Sequence, residues 1–275
     1  SVETGLEIKA VAKQRYTLGA AGNVVMNLVS LGVKRVNVFG VVGNDLFGRE
    51  LLQLLGKHRN ISTKGLLVQS KDWNTHVYSK PYLADRELNR IDFGRFNSMQ
   101  KSTADALAGR IERAVSSSDV VIINEQFASG IHDSGYFREL LRRLIRKHPG
   151  TTFILDSRHY SDAYDGTIRK INEIEAARLC GLNRSPEDKV TYPEAVNYAD
   201  KLWKQWKKPL FLTRGDRGCF VRDAKCRHEI PGLLITGRTD TVGSGDSMLA
   251  GVSAALASGA SPVEAATFGN FTAGV

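Results

Sequence analysis

Short apolar runs alternate with amphipathic stretches through the second half of the chain. Val120-Val121-Ile122-Ile123 and Thr152-Phe153-Ile154-Leu155-Asp156 read as strands, and between them Phe137, Leu141 and Leu144 recur at helical spacing. A helix carrying Leu107, Ile111 and Val115 comes before the first of these strands. Further on, the stretch from Leu210 to Val221 reads as strand, turn, strand, and Met248, Leu249, Val252 and Leu256 mark another helix. Strands apolar on both faces, separated by helices, predict an α/β fold: a central, mainly parallel sheet covered on both sides. Residues 104–256 are expected to alternate helix and strand.

The first half is more varied. Leu6-Glu7-Ile8-Lys9-Ala10 alternates apolar and polar, as a strand with one buried face would. A glycine turn at 18–23 runs into a helix carrying Val25, Leu28 and Leu31. Residues 36–48 read as strand, glycine loop and helix start, with Phe47, Leu51, Leu54 and Leu55 as that helix's apolar stripe. Residues 75–92 are strand-like but rich in polar side chains. Near the end, Ser261-Pro262-Val263-Glu264 has the cap, proline and glutamate of a helix start, and the helix is expected to run through Ala265, Phe268 and Phe271. No repeat or low-complexity linker divides the 275 residues, so a single domain spanning 1–275 is expected.

Composition narrows the function classes. No apolar run approaches the ~20 residues of a membrane span, and the opening residues, Ser1-Val2-Glu3-Thr4, do not read as a leader. The cysteines, Cys180, Cys219 and Cys226, are odd in number and lack paired spacing, which argues against a disulfide framework or a zinc site and for a reducing, cytoplasmic setting. The net charge of +9 could suit nucleic acid, but the basic residues are spread over helix faces, such as Arg138, Arg142, Arg143, Arg146 and Lys147. Neither a nucleic-acid nor a membrane partner is expected. The excess positive charge would help to draw in small anions.

The stretch Thr239-Asp240-Thr241-Val242-Gly243-Ser244-Gly245-Asp246 carries the chemistry. A glycine turn feeding a helix leaves backbone N–H groups unpaired at the positive end of the helix dipole, where an anion binds. A carboxylate there makes sense if Asp246 faces a hydroxyl and takes its proton, the layout for moving a phosphoryl group onto an alcohol. Asp246 could equally be an ordinary N-cap. Asn124, Glu125 and Asp156 fall at the carboxyl ends of their strands, where ligands bind in such sheets.

The turn resembles the D-T-x-G-A-G-D signature of the ribokinase-like (PfkB) family of sugar and nucleoside kinases, with Ser244 where alanine is usual. Upstream, Gly19 and Asn23 resemble the family's G-G-x-x-N turn, with Ala20 in place of the second glycine, and Gly40, Gly43, Asp45 and Gly48 match G-x-V-G-x-D-x-x-G. Asn172 and Glu175 match N-x-x-E, and Thr213, Gly215 and Gly218 match T-x-G-x-x-G. Arg90-Ile91-Asp92 points within the family to the heptose-phosphate kinase branch.

The resemblance implies ATP-dependent phosphorylation of a sugar or sugar phosphate. Asp246 would be the general base, and Gly243, Ser244 and Gly245 the anion hole. Gly19 and Asn23 would bind the sugar, and Asn172, Glu175, Thr213, Gly215, Gly218 and Asn270 the nucleotide. Mg2+ would sit near Glu175 through water, and Asp240 would help hold a monovalent cation such as K+. A small β lid, from segments near 1–18 and 75–92, would cover the sugar and pair two subunits. The family's first strand and C-terminal end are not recognised in the chain. From the residues alone Asn23 reads equally as a helix cap, Asn172 with Glu175 as a plain capping box, Asp240 as a cap, and the turn from Thr213 to Gly218 as a hairpin. Asp45 reads as a structural turn residue. The rivals are a non-catalytic sugar- or nucleotide-binding regulator on the same fold and a nucleoside kinase. A dinucleotide-binding oxidoreductase is disfavoured, because no G-x-G-x-x-G follows a first strand.

Overall fold

The computed structural model describes residues 1–236 and 241–274. Its centre is a six-stranded sheet built by the alternating pattern of the second half. The strands are β7 (Val120–Glu125), β8 (Thr152–Ser157), β9 (Ile168–Asn172), β10 (Leu210–Thr213), β11 (Cys219–Arg222) and β12 (Arg227–Ile230), each lying beside the next. β7 to β10 run parallel, and β11 and β12 fold back as antiparallel hairpin strands. Earlier in the chain, β1 (Val36–Gly43) and β2 (Ile61–Gln69) form a separate parallel pair.

Strand alternation distributes the core. Ile154 and Phe211 point to one face, under α1 (Ala21–Ser30), α7 (Ser244–Ala257) and α8 (Pro262–Ala273). Phe153 and Leu155 point to the other, under α3 (Lys101–Val115) and α4 (Gly135–Lys147). Leu210, Leu212 and Phe220 pack on α5 (Glu173–Leu179) and α6 (Tyr192–Trp206). The β1–β2 pair feeds the same two main cores, Val36 and Ile61 into the first and Phe39, Val41 and Leu67 into the second. Both sheets therefore belong to one layer between shared helices, although no ladder joins β1 to β7 among the described residues. α2 (Leu46–Gly56) packs on β1 and β2 through Leu55. Its Phe47 instead meets Tyr16 and Phe93 at the lid.

One expectation is corrected. Residues 6–10 form no strand: Leu6 and Ile8 lie about 70% exposed (70% and 71%), because no sheet face is there for the alternating side chains to cover. The lid consists of the short antiparallel pairs β3 (Val77–Ser79) with β6 (Ile91–Phe93) and β4 (Tyr82–Leu83) with β5 (Arg86–Glu87). On α8, Phe268 and Phe271 face outward, while Ala265, Ala266 and Gly269 form the buried side. The cause is the close approach of α7: a Cβ on Gly251 would stand 2.9 Å from the Gly269 Cα, so only small residues fit the seam. The capping box at Ser261 and Glu264 forms as expected.

Candidate active site

The first turn of α7 is the focus. Gly243 caps it with φ 89°, a left-handed conformation that suits glycine. The amides of Gly245 and Asp246 lie in the helix's first turn, where no intrahelical acceptor exists. Ser244 differs from expectation: its N–H and its hydroxyl both turn back onto the Thr241 carbonyl, at 3.2 and 2.9 Å. Of the three amides expected to line the turn, that of Ser244 is thus engaged. Asp240 lies outside the described residues.

Asp246 is half-buried, and its Oδ2 accepts a hydrogen bond from Asn23 Nδ2 at 3.0 Å. One turn on, Asn27 Nδ2 donates to Ser247 Oγ at 3.0 Å, so α1 and α7 are stitched along one edge. Burial pushes the Asp246 carboxyl above its ordinary range, and the neighbouring Asp156 adds to this. The Asn23 hydrogen bond, Lys170 and Arg158 pull it back.

Beneath the turn lies a row that joins Asn124 and Asp156, expected at this edge, to Lys170, which the sequence does not single out. The pairing of Leu155 with Arg169 sets the next residues, Asp156 and Lys170, side by side at the carboxyl ends of β8 and β9. Strand alternation sends Arg169 and Lys170 to opposite faces. Arg169 is fully buried and ties the β8–β9 connection together, donating to the carbonyls of Ser161, Tyr164 and Thr167. Lys170 faces α7, and its Nζ donates to Asp156 Oδ2 at 2.9 Å. Asn124, opposite Asp156 on β7, continues the row, and both polar atoms of its side chain are buried without a partner among the described residues. Glu125, on the other face, is a positioning group. It accepts from Ser157 Oγ, His159 N–H and His159 Nδ1, and so shapes the chain that leaves β8.

The N-x-x-E and T-x-G-x-x-G segments also come together, because Asn172 pairs with Thr213 across β9 and β10. Asn172 and Glu175 form a reciprocal capping box, with bonds of 2.8 and 2.9 Å. Burial pushes the Glu175 carboxyl up. Gly218 has φ 89°, and any Cβ there would collide with the Ile230 carbonyl at 2.1 Å. Gly215 also has positive φ, 61°. Beneath this turn, buried Arg214 bonds Glu173 at 2.7 Å and Glu229 at 2.6 Å, and Arg217 bonds the other Glu173 oxygen, so the turn is braced against the start of α5. Asn270 donates to the Pro231 carbonyl at 2.9 Å and so joins α8 to the chain after β12.

Asp45 acts as the structural residue it was read to be: it caps α2 through Gly48 N–H and binds Thr75 N–H, both at 2.7 Å. In the lid, Arg90 forks onto Asp92 and stacks over Tyr78, 3.8 Å from the ring centre.

The model of the pfkB family carbohydrate kinases matches residues 4–275. The chain belongs to that family. It is 28% identical over 283 residues to the "Bifunctional protein HldE" of Sulfurimonas denitrificans, covering 100% of this chain and 56% of that protein. It is 29% identical over 285 residues to the HldE of a Caulobacter species, again across 100% of this chain and 54% of the relative. The chain thus spans about half the length of these relatives. Its fold is similar to that of ribokinase from Thermotoga maritima (TM-score 0.71, 18% identity, 98% of this chain and 84% of that one). It is similar as well to phosphofructokinase-2 from Escherichia coli in complex with potassium (TM-score 0.73, 18% identity, 98% and 85% covered). The ribokinase-like α/β fold expected from the sequence is therefore established.

The Gly19–Asn23 turn carries a strain that has a measurable consequence. Ala20, standing where the family usually has glycine, adopts φ 49° and ψ −122°. A residue with a Cβ in such a region costs about 1–3 kcal/mol. Ala20→Gly relieves that strain and adds about 0.4–1 kcal/mol of unfolded-state entropy against it. The variant is expected to gain stability, read as a higher urea midpoint; a lower midpoint would show that Ala20 is not strained.

Proposed function

We propose that this chain transfers the γ-phosphoryl group of ATP to a hydroxyl of a sugar phosphate or sugar. The observation that carries the reading is the juxtaposition at the start of α7: open amides at the positive end of a helix, directly beside a half-buried carboxylate that Asn23 holds through Oδ2. Asp246 Oδ takes the proton of the acceptor hydroxyl as the hydroxyl oxygen bonds to the γ-phosphorus. The bond from that phosphorus to the β–γ bridging oxygen breaks, and ADP leaves with the electron pair. A carboxylate made more basic by burial accepts a proton more readily near neutral pH.

Gly19 and Asn23 lie on the acceptor side. The edge made by Asn172, Thr213, Gly215 and Gly218 is the nucleotide side, and Asn270, whose Nδ2 is engaged, can offer only its Oδ1 to a base. Glu175 suits Mg2+ held through water: Oε2 is committed to the Asn172 amide, while Oε1 has no protein hydrogen bond among the described residues. When bound, Mg2+ neutralises phosphate charge. Asp240 is proposed as part of a monovalent-cation site. Heptose phosphates come first in the acceptor panel, on the resemblance of Arg90-Ile91-Asp92 to the heptose-phosphate kinase branch.

A non-catalytic regulator is the second reading, and the turned-back Ser244 favours it, since an occupied amide weakens an anion hole. Binding of ATP–Mg and a sugar phosphate in a thermal-shift titration, without ADP release, would select it. Asp246→Asn provides the stricter test of the kinase reading. It keeps size and hydrogen bonding but cannot take the proton, so ADP release is expected to fall ~10²–10⁴-fold with ATP affinity near wild type. Retained turnover would remove Asp246 from the chemistry.

The lid is proposed to pair two copies. Leu83 and Phe96 are exposed there, at 71% and 98%. Sedimentation equilibrium is expected to give a dimer that Phe96→Ser together with Leu83→Ser weakens; a wild-type monomer at micromolar concentration would reject this pairing.

A further inference from the structure

Lys170 is buried, with 7% of its surface exposed, in a strand whose neighbouring positions serve packing. Its Nζ does more than meet Asp156. A Cβ built on Gly245 would stand 3.2 Å from Nζ, so the ammonium lies against the underside of the anion turn. Burying an ammonium costs several kcal/mol unless it is well paired, and an apolar side chain of similar length would pack there at no such cost. The charge therefore needs a reason beyond stability.

The surrounding groups supply one. Lys170 on β9 is faced by Asp156 at the end of β8, by Glu175 on α5 and by Asp246 on α7. Asp246 is faced by Asp156 and Arg158 from the end of β8, by Lys170, and by the neutral Asn23 on α1. Asp156 disfavours the ionised forms of both Asp246 and Glu175. A single fixed cation among them offsets that repulsion. It also places positive charge behind Gly245, on the side away from an incoming phosphoryl group.

We infer that Lys170 is a positioning residue for phosphoryl transfer: its ammonium keeps Asp246 ionised and supports the Gly243–Gly245 turn from beneath. This rests on the kinase reading above. Burial favours loss of the Lys170 proton, but the facing carboxylates, Asp156 foremost, outweigh it and hold the ammonium above the ordinary lysine range.

The test compares K170Q, which keeps a donor for Asp156 and removes the charge, with K170R, which keeps the charge. For K170Q, kcat is expected to fall about tenfold to a hundredfold, less than the ~10²–10³-fold cost of deleting a direct oxyanion donor. KM for ATP should stay within about threefold, as an effect confined to the transition state requires. The acidic limb of the kcat–pH profile should move to higher pH in K170Q and stay near wild type in K170R. A K170Q enzyme that loses turnover without moving the limb, or a K170R enzyme that moves it equally, would overturn the inference. If K170Q does not fold, D156N/K170Q is compared with D156N, and the double variant should again have the higher limb; equal limbs would overturn it. Absence of turnover in the wild type with every acceptor would count against the kinase reading itself. The Lys170 claim is then decided by the Asp246 carboxyl titration in NMR, which needs no substrate. An unchanged midpoint in K170Q would refute it.

Discussion

The structure turns on charge placed where a helix begins. α7 starts directly above the carboxyl ends of β8 and β9, so its unpaired amides, the Asp246 carboxylate and the Asp156–Lys170 pair share one small, half-dry space. None of these groups is comfortable there alone. Asp246 is pushed up by burial, and burial alone favours loss of the Lys170 proton, which the facing carboxylates outweigh. Together they compensate in part: the Lys170 ammonium offsets the neighbouring carboxylates, Asp156 foremost. The same logic explains why α7 is buried nearly all round from Met248 to Ser253: its start is only as well placed as its packing is firm.

The rest of the fold holds that start in position. α1 anchors it from one side through Asn23 and Asn27, more than two hundred residues away in sequence. α8 fixes it from another through a seam of small residues. Arg169 locks the β8–β9 connection, so that the adjacent Lys170 is held on the opposite face. The Glu173–Arg214–Arg217 cluster braces the second glycine turn against α5, so both turns are carried by rigid elements at one sheet edge.

Much of this was legible in the sequence because its signals are local. A glycine–aspartate turn followed by apolar residues at helical spacing means the same thing wherever it lies in a sheet, and the strand–helix rhythm after residue 104 is equally self-contained. The misses share the opposite cause. Leu6 to Ala10 alternates well, but alternation makes a strand only where a face exists to cover. Lys170 sits in Ile168-Arg169-Lys170-Ile171, which reads as a charged surface patch. Only the register with β8 places it beside Asp156. One sequence signal was available: adjacent basic residues just before an N-x-x-E helix start must face opposite sides of their strand, so one of them faces the ligand edge.

The central claim is that the first turn of α7 receives the transferring phosphoryl group. A crystal structure grown with ADP, Mg2+, aluminium fluoride and an acceptor sugar phosphate tests it most directly. The account predicts a planar fluoride within hydrogen-bond reach of the Gly245 and Asp246 amides, with the acceptor hydroxyl against the Asp246 carboxylate. Fluoride and nucleotide bound away from this turn, with Asp246 still paired only to Asn23, would contradict it.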